Sequence, residues 1–187
     1  MLDGACFKGT VPDMQRVVVG VDPSGTSGDD KANQVGIVVA GYGVDGKGYV
    51  LADRTCSLSP AGWSRRVIEA YTEFNADRVV AERNFGGAMV ESVIRTAMTN
   101  CPIKLVTASR GKVARAEPVA ALYEQNKVYH VANVPELEDQ MCSFTSEGYV
   151  GGSSPDRADA LVWALTDLML LRARFETPME LGLPISR

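Results

Sequence analysis

The stretch that decides the fold is Arg16 to Asp22, RVVVGVD, followed by Pro23, Ser24 and Gly25. A short run of valines bounded by a turn signal predicts a buried strand. Such a strand ends oddly in a carboxylate, because a buried ionised group is costly unless it is paired or bound to a cation. Asp22 therefore has two readings: it caps the Asp-Pro-Ser-Gly turn, or it holds a cation. The same ending recurs at Arg78 to Glu82, RVVAE. There the simple alternative is a pairing of Glu82 with Arg83 or another arginine at the sheet's end.

The rest of the chain falls into place around these two strands. Gln34 to Gly41 (QVGIVVAG) predicts a second strand, and Tyr49 to Arg54 (YVLADR) a third. The Asp45-Gly46 turn signal between them predicts a β-hairpin. Pro60 to Asn75 has helical spacing, with Trp63, Val67, Ala70, Tyr71 and Phe74 on one face and Ser59 as the expected N-cap. After Arg78 to Glu82 and the punctuation of Gly86 and Gly87 come a helix (Met89 to Met98), a strand (Ile103 to Thr107) and a helix (Lys112 to Gln125). A short extended stretch (Val128 to Val131) and a helix (Pro135 to Cys142) follow. Ser143 to Ser154 reads as a loop, and Asp156 to about Phe175 as a final amphipathic helix. Three strands followed by alternating helix and strand predict an α/β fold, a mixed central sheet flanked by helices. Residues 1–15 read as a tail or linker remnant, 16–175 as one domain and 176–187 as a C-terminal tail.

The chain's 187 residues suit a single domain, and 45% hydrophobic with 22% charged residues allow a packed core. No apolar run approaches the roughly 20 residues of a membrane helix, and the N-terminus has no signal-peptide pattern. The four cysteines form no C-x-x-C pair and there is one histidine, His130. Zinc-finger and disulfide scaffolds are thus disfavoured, and a cytoplasmic location is expected. A net charge of −4 argues against a domain that coats nucleic acid non-specifically, not against an enzyme that touches it at one site.

The final helix carries Asp156 and Asp159, spaced i, i+3 on one face. Asp156 has a simple alternative as a first-turn charge, with Ser154 as cap. Asp159 is harder to dismiss, because Ala158, Ala160, Leu161 and Val162 surround it. Asp167 reads as a solvent or salt-bridge residue. Hard divalent cations prefer carboxylate oxygens, and two ions about 3.5–4 Å apart can activate a water and stabilise the leaving oxygen of a phosphodiester. Asp22, Glu82, Asp156 and Asp159 offer that donor set.

The strand VVVGVDPSG with Asp22, the strand VVAERN with Glu82 and the helix SPDRADALVWAL with Asp156 and Asp159 resemble the RNase H-like nuclease superfamily. Within it, together with SRGKVARAEPVAALYEQNKVYHV, they are most similar to the C-terminal nuclease domain of tailed-bacteriophage large terminase subunits. The resemblance covers roughly residues 16–173. It implies a metal-dependent endonuclease that cuts double-stranded DNA during genome packaging, using Mg²⁺ or Mn²⁺, with two ions. In that reading Asp22 bridges the ions, Glu82 holds one, and Asp159, aided by Asp156, holds the other. The implied partners are double-stranded DNA, the packaging motor's ATPase domain, the portal and the small terminase subunit, with no membrane. The aspartate pair is also similar to the RuvC-type resolvases, so a resolvase or transposase-type nuclease stays open, as does a catalytically inactive docking module.

Arg110, Lys112 and Arg115 form the densest basic cluster, read either as a solvated helix start or, with Arg83, as contacts to DNA phosphates. Trp63, Trp163 and Tyr71 read as core, and His130 and the cysteines as structural. Gly41 to Gly48 (GYGVDGKG) nearly matches a phosphate-binding loop. Gly48 stands where Ser or Thr is required, and strand, not helix, follows, so a hairpin turn explains it better.

Overall fold

The computed structural model describes residues 5–23, 34–83, 87–145 and 147–171. Six strands form one mixed sheet: β1 (Met14–Pro23), β2 (Val35–Gly43), β3 (Gly48–Asp53), β4 (Arg78–Glu82), β5 (Ile103–Val106) and β6 (Val128–His130), in the order β5-β4-β1-β2-β3-β6. β1, β2 and β3 are antiparallel neighbours, while β4, β5 and β6 join in parallel. The helices are α1 (Pro60–Glu73), α2 (Gly87–Ala97), α3 (Lys112–Glu124), α4 (Pro135–Cys142) and α5 (Asp156–Leu165).

The pleat sorts the sheet's residues into two cores. Val17, Val19, Val21, Val79 and Ala81 pack with Trp63, Val67, Val90 and Ile94 of α1 and α2. Val18, Val38, Ala40 and Val80 pack with Ala160, Leu161 and Ala164 of α5 and with Leu122 of α3. Burial on both faces is why the strands read as continuous valine runs.

Glycines let α5 lie unusually close to the sheet. A Cβ on Gly20 would stand 2.2 Å from the Ala160 carbonyl oxygen, and one on Gly36 would stand 1.9 Å from that of Asp156. Only hydrogen fits there. The near-match to a phosphate-binding loop lies in the β2–β3 hairpin, where Gly46 takes φ +80° and Asp45 accepts the Lys47 N–H. The hairpin reading holds.

Four details depart from the sequence reading. Within the segment read as a leading tail, Ala5 and Phe7 hydrogen-bond to His130, so this stretch covers the outer edge of β6. The segment read as a loop after α4 contains a two-stranded ribbon, β7 (Phe144–Thr145) with β8 (Gly148–Tyr149). Strands this short leave almost no period to read. The final helix stops being α-helical at Leu165, and a π-helical turn, Thr166–Leu170, follows, with Leu171 N–H bonded to Thr166. Ser59 sits at the start of α1 but caps with its backbone carbonyl, not its side chain. The Ser24–Gly28 part of the turn after β1, Gly86, the helix end near Phe175 and the C-terminal tail lie outside the described residues.

Candidate functional site

Register and pleat place the two strand-end carboxylates. Val21 pairs with Ala81 across parallel β1 and β4, so Asp22 and Glu82, one residue on, stand side by side. Both stand an even number of residues from α5-facing valines, Val18 on β1 and Val80 on β4, and so share α5's side of the sheet. The close approach at Gly36, the register partner of Asp22, brings the start of α5 over the same sheet end. Asp22, Glu82, Asp156 and Asp159 are only 5%, 8%, 5% and 2% exposed.

The start of α5 is held from a distance. Pro155 occupies the N-cap position and offers no side-chain cap. Gln140 of α4 supplies one instead, its Oε1 accepting the N–H groups of Arg157 and Ala158 at 3.0 and 3.2 Å. Arg157 in turn donates to Asp53 on β3 at 2.8 Å and to Gln34 at 2.6 Å. This satisfies helix donors that would otherwise be orphaned and fixes where Asp156 and Asp159 point.

Two cations enter the cluster from α3. Lys112 Nζ lies 2.6 Å from Asp159 Oδ2. Arg115 joins Glu82 to Asp159, with Nη1 at 3.3 Å from Glu82 Oε2 and Nη2 at 3.4 Å from Asp159 Oδ1. The Arg115 side chain is only 11% exposed, so it belongs to the buried cluster and not to a solvated helix start. Arg110 and Arg83 are exposed. Asp167 is buried at the far end of α5 and pairs with Lys104 at 2.5 Å, with Arg78 beside it; it is a salt-bridge residue outside the cluster.

The electrostatics are those of crowded carboxylates. Burial first, then the charges of Asp159, Glu82 and Asp156, push Asp22 up to about 8, against an opposing pull from Lys112. Burial also raises Asp156, whose Oδ1 has no hydrogen-bond partner. An orphaned buried oxygen in an all-oxygen donor set fits a hard divalent cation. Among the described residues, no three acidic, His or Cys side chains stand in the spacing of a finished metal cage; Lys112 and Arg115 lie among the acids instead.

Sequence reading missed Trp163 as a site residue. Its indole N–H donates to Glu82 Oε2 at 3.0 Å. The signal was available, because Trp163 stands four residues after Asp159 and so shares its helix face. Gln140 carried no such signal. His130 is structural as read, bonded to Tyr123 and Glu138 at 2.7 Å each. An apolar groove of about 450 Å³ runs between α3, α5 and the β7–β8 ribbon, lined by Val113, Met141, Phe144 and Leu161 among others. None of the four carboxylates lines it, so it is separate from the acidic cluster.

The family model described as the terminase RNaseH-like domain matches residues 19–168. The chain belongs to this family. Its match to the C-terminal nuclease domain of phage large terminases is seen in solved structures as well. This terminase domain is similar to the large terminase nuclease of thermophilic phage G20c with bound cobalt, at TM-score 0.65 and 16% identity over 89% of this chain and 95% of that one. It is also similar to the K428A nuclease domain of the large terminase subunit gp2 of bacterial virus Sf6 with manganese and beta-thujaplicinol, at 0.60 and 15% over 88% and 95%. Thermus thermophilus RuvC matches at 0.50 and 20% over 86% and 97%. At these identities the likeness shows the fold, that of an RNase H-like nuclease. A comparison with curated proteins finds no significant match. No described helix is long and apolar enough to cross a membrane.

Proposed function

We propose that this terminase domain is a divalent-metal-dependent endonuclease that cuts double-stranded DNA during viral genome packaging. One observation carries the reading: four carboxylates from two strand ends and one helix are buried at one sheet end, where only cations can make their ionised forms tolerable. Asp22, Glu82 and Asp159, with Asp156, would hold Mg²⁺ or Mn²⁺, two ions in all. When bound, the metal supplies a water of lowered pKa and positive charge for the leaving oxygen of a phosphodiester.

The chain's own residues do the rest. Asp22 lies among the three other acids whose charges act on it, which suits it to the shared position. Arg115 compensates charge between Glu82 and Asp159. The exposed Arg83 and Arg110, with Lys112 at the cluster's rim, face DNA phosphates, contacts that carry no sequence information. The motor's ATPase domain, the portal and the small subunit are the partners of this role, and the infected cell's cytoplasm its location.

The test is cleavage of plasmid DNA with Mg²⁺ or Mn²⁺, beside EDTA controls. Wild type should cut plain duplex, and Asp22→Asn, Glu82→Gln and Asp159→Asn should each lose at least about a hundredfold in rate, as loss of a charge-stabilising group at a reacting centre does. A protein that cuts four-way junctions but not duplex would instead be a resolvase-type nuclease. A wild type that neither cuts nor binds Mn²⁺ would be a docking module.

A further inference from the structure

Trp163 touches two members of the acidic cluster at once. Its indole N–H donates to Glu82 Oε2 at 3.0 Å, and the same oxygen receives Arg115 Nη1 at 3.3 Å. The Arg115 guanidinium carbon lies 4.7 Å from the centre of the Trp163 ring, and Nη2 continues to Asp159. One side chain on α5 thus grips a carboxylate from β4 through its edge and a cation from α3 through its face.

Trp163 is 7% exposed, and a buried indole N–H must find an acceptor. Given Glu82 as acceptor, it removes freedom from that carboxylate's terminal torsion and fixes which oxygen is used up. Oε2 is occupied by Trp163 and Arg115, and Oε1 takes neither bond. The ring face meanwhile restricts where the Arg115 guanidinium can go. Groups that orient ligands in this way typically change metal affinity 10- to 100-fold when removed.

We propose that Trp163 is a positioning residue of the carboxylate cluster, aiming Glu82 through its indole N–H and holding Arg115 against its ring. The inference rests on the nuclease reading above, with Glu82 as a cation ligand. It extends that reading to a residue that would touch neither metal nor DNA.

The decisive variant is Trp163→Phe, which keeps a ring face and most of the packing but deletes the donor. Calorimetric titration with Mn²⁺ should show about tenfold weaker binding than wild type, and the half-saturating Mn²⁺ in plasmid cleavage should rise with it, more than kcat falls. Trp163→Leu removes both contacts and should lose more, with Trp163→Phe carrying the test if the leucine variant does not fold. Without metal, the Trp163 indole N–H resonance in ¹⁵N-labelled protein should move on Glu82→Gln. Unchanged Mn²⁺ affinity in Trp163→Phe, or an indole resonance indifferent to Glu82→Gln, overturns the proposal while leaving the nuclease reading intact. A wild type that binds no Mn²⁺ overturns both.

Discussion

Asp22 is the residue on which the charge balance of the domain turns. Its carboxyl is held near 8, chiefly by burial and then by Asp159, Glu82 and Asp156. An acid whose folded pKa exceeds its unfolded value binds its proton more tightly in the native state. Its stabilising contribution is full below about pH 4 and is lost as pH climbs through about 8. Asp156 is raised as well and acts in the same direction. In EDTA the domain should therefore lose stability between pH 5 and pH 9 in urea denaturation. Asp22→Asn should flatten that slope and be more stable than wild type at pH 9 by several kcal/mol, the penalty of ionising a buried carboxyl among other acids avoided. A wild-type profile that is flat, or that rises with pH, would show that the cluster does not hold Asp22 in this way.

At the scale of elements, the site is the meeting of α5 with the ends of β1, β2 and β4. Two devices set that meeting: the glycines under the helix and the distant cap. Gly36→Ala would drive a Cβ to 1.9 Å from a backbone oxygen, which no rotamer change relieves. It should cost at least about 1–3 kcal/mol by overpacking and depress plasmid cleavage. Gln140→Ala removes the cap from Arg157 and Ala158 and should cost about 0.5–2 kcal/mol. Gly152→Ala meets nothing within 4 Å and should leave melting temperature and cleavage unchanged, which makes it the control for both.

For the whole molecule, a cation bound only by the native fold must stabilise that fold. Free Mn²⁺ at 100 times its dissociation constant adds about 2.7 kcal/mol, which for a domain of this size raises the melting temperature by about 5–10 °C. Asp159→Asn should keep the fold in EDTA and lose most of that rise, read in one thermal scan with and without Mn²⁺. An equal rise in the variant would place cation binding elsewhere on the protein.

The order of strands and helices, the mixed sheet and the identity of the four acids were legible in the sequence, because each rests on local pattern. Valine runs mark strands buried on both faces, helical spacing marks α1 and α5, and a carboxylate closing an apolar run is conspicuous wherever it falls. Residue contacts across the fold were not legible. Arg115 and Lys112 read as one basic patch, yet α3 turns them into the acids, and no local pattern says which way an exposed-looking helix start will face. Trp163 read as core, and it is buried, but its N–H needed Glu82 brought from 81 residues away. Gln140 caps a helix to which it does not belong. The π-helical turn and the β7–β8 ribbon are too short to leave a period. Local pattern by itself determined which four acids stand out as candidates. Only the tertiary structure, with α5 packed closely on Gly20 and Gly36 and α3 and α4 set against it, decided how those acids are paired, because burial and hydrogen bonding between distant segments exist only once the chain is folded.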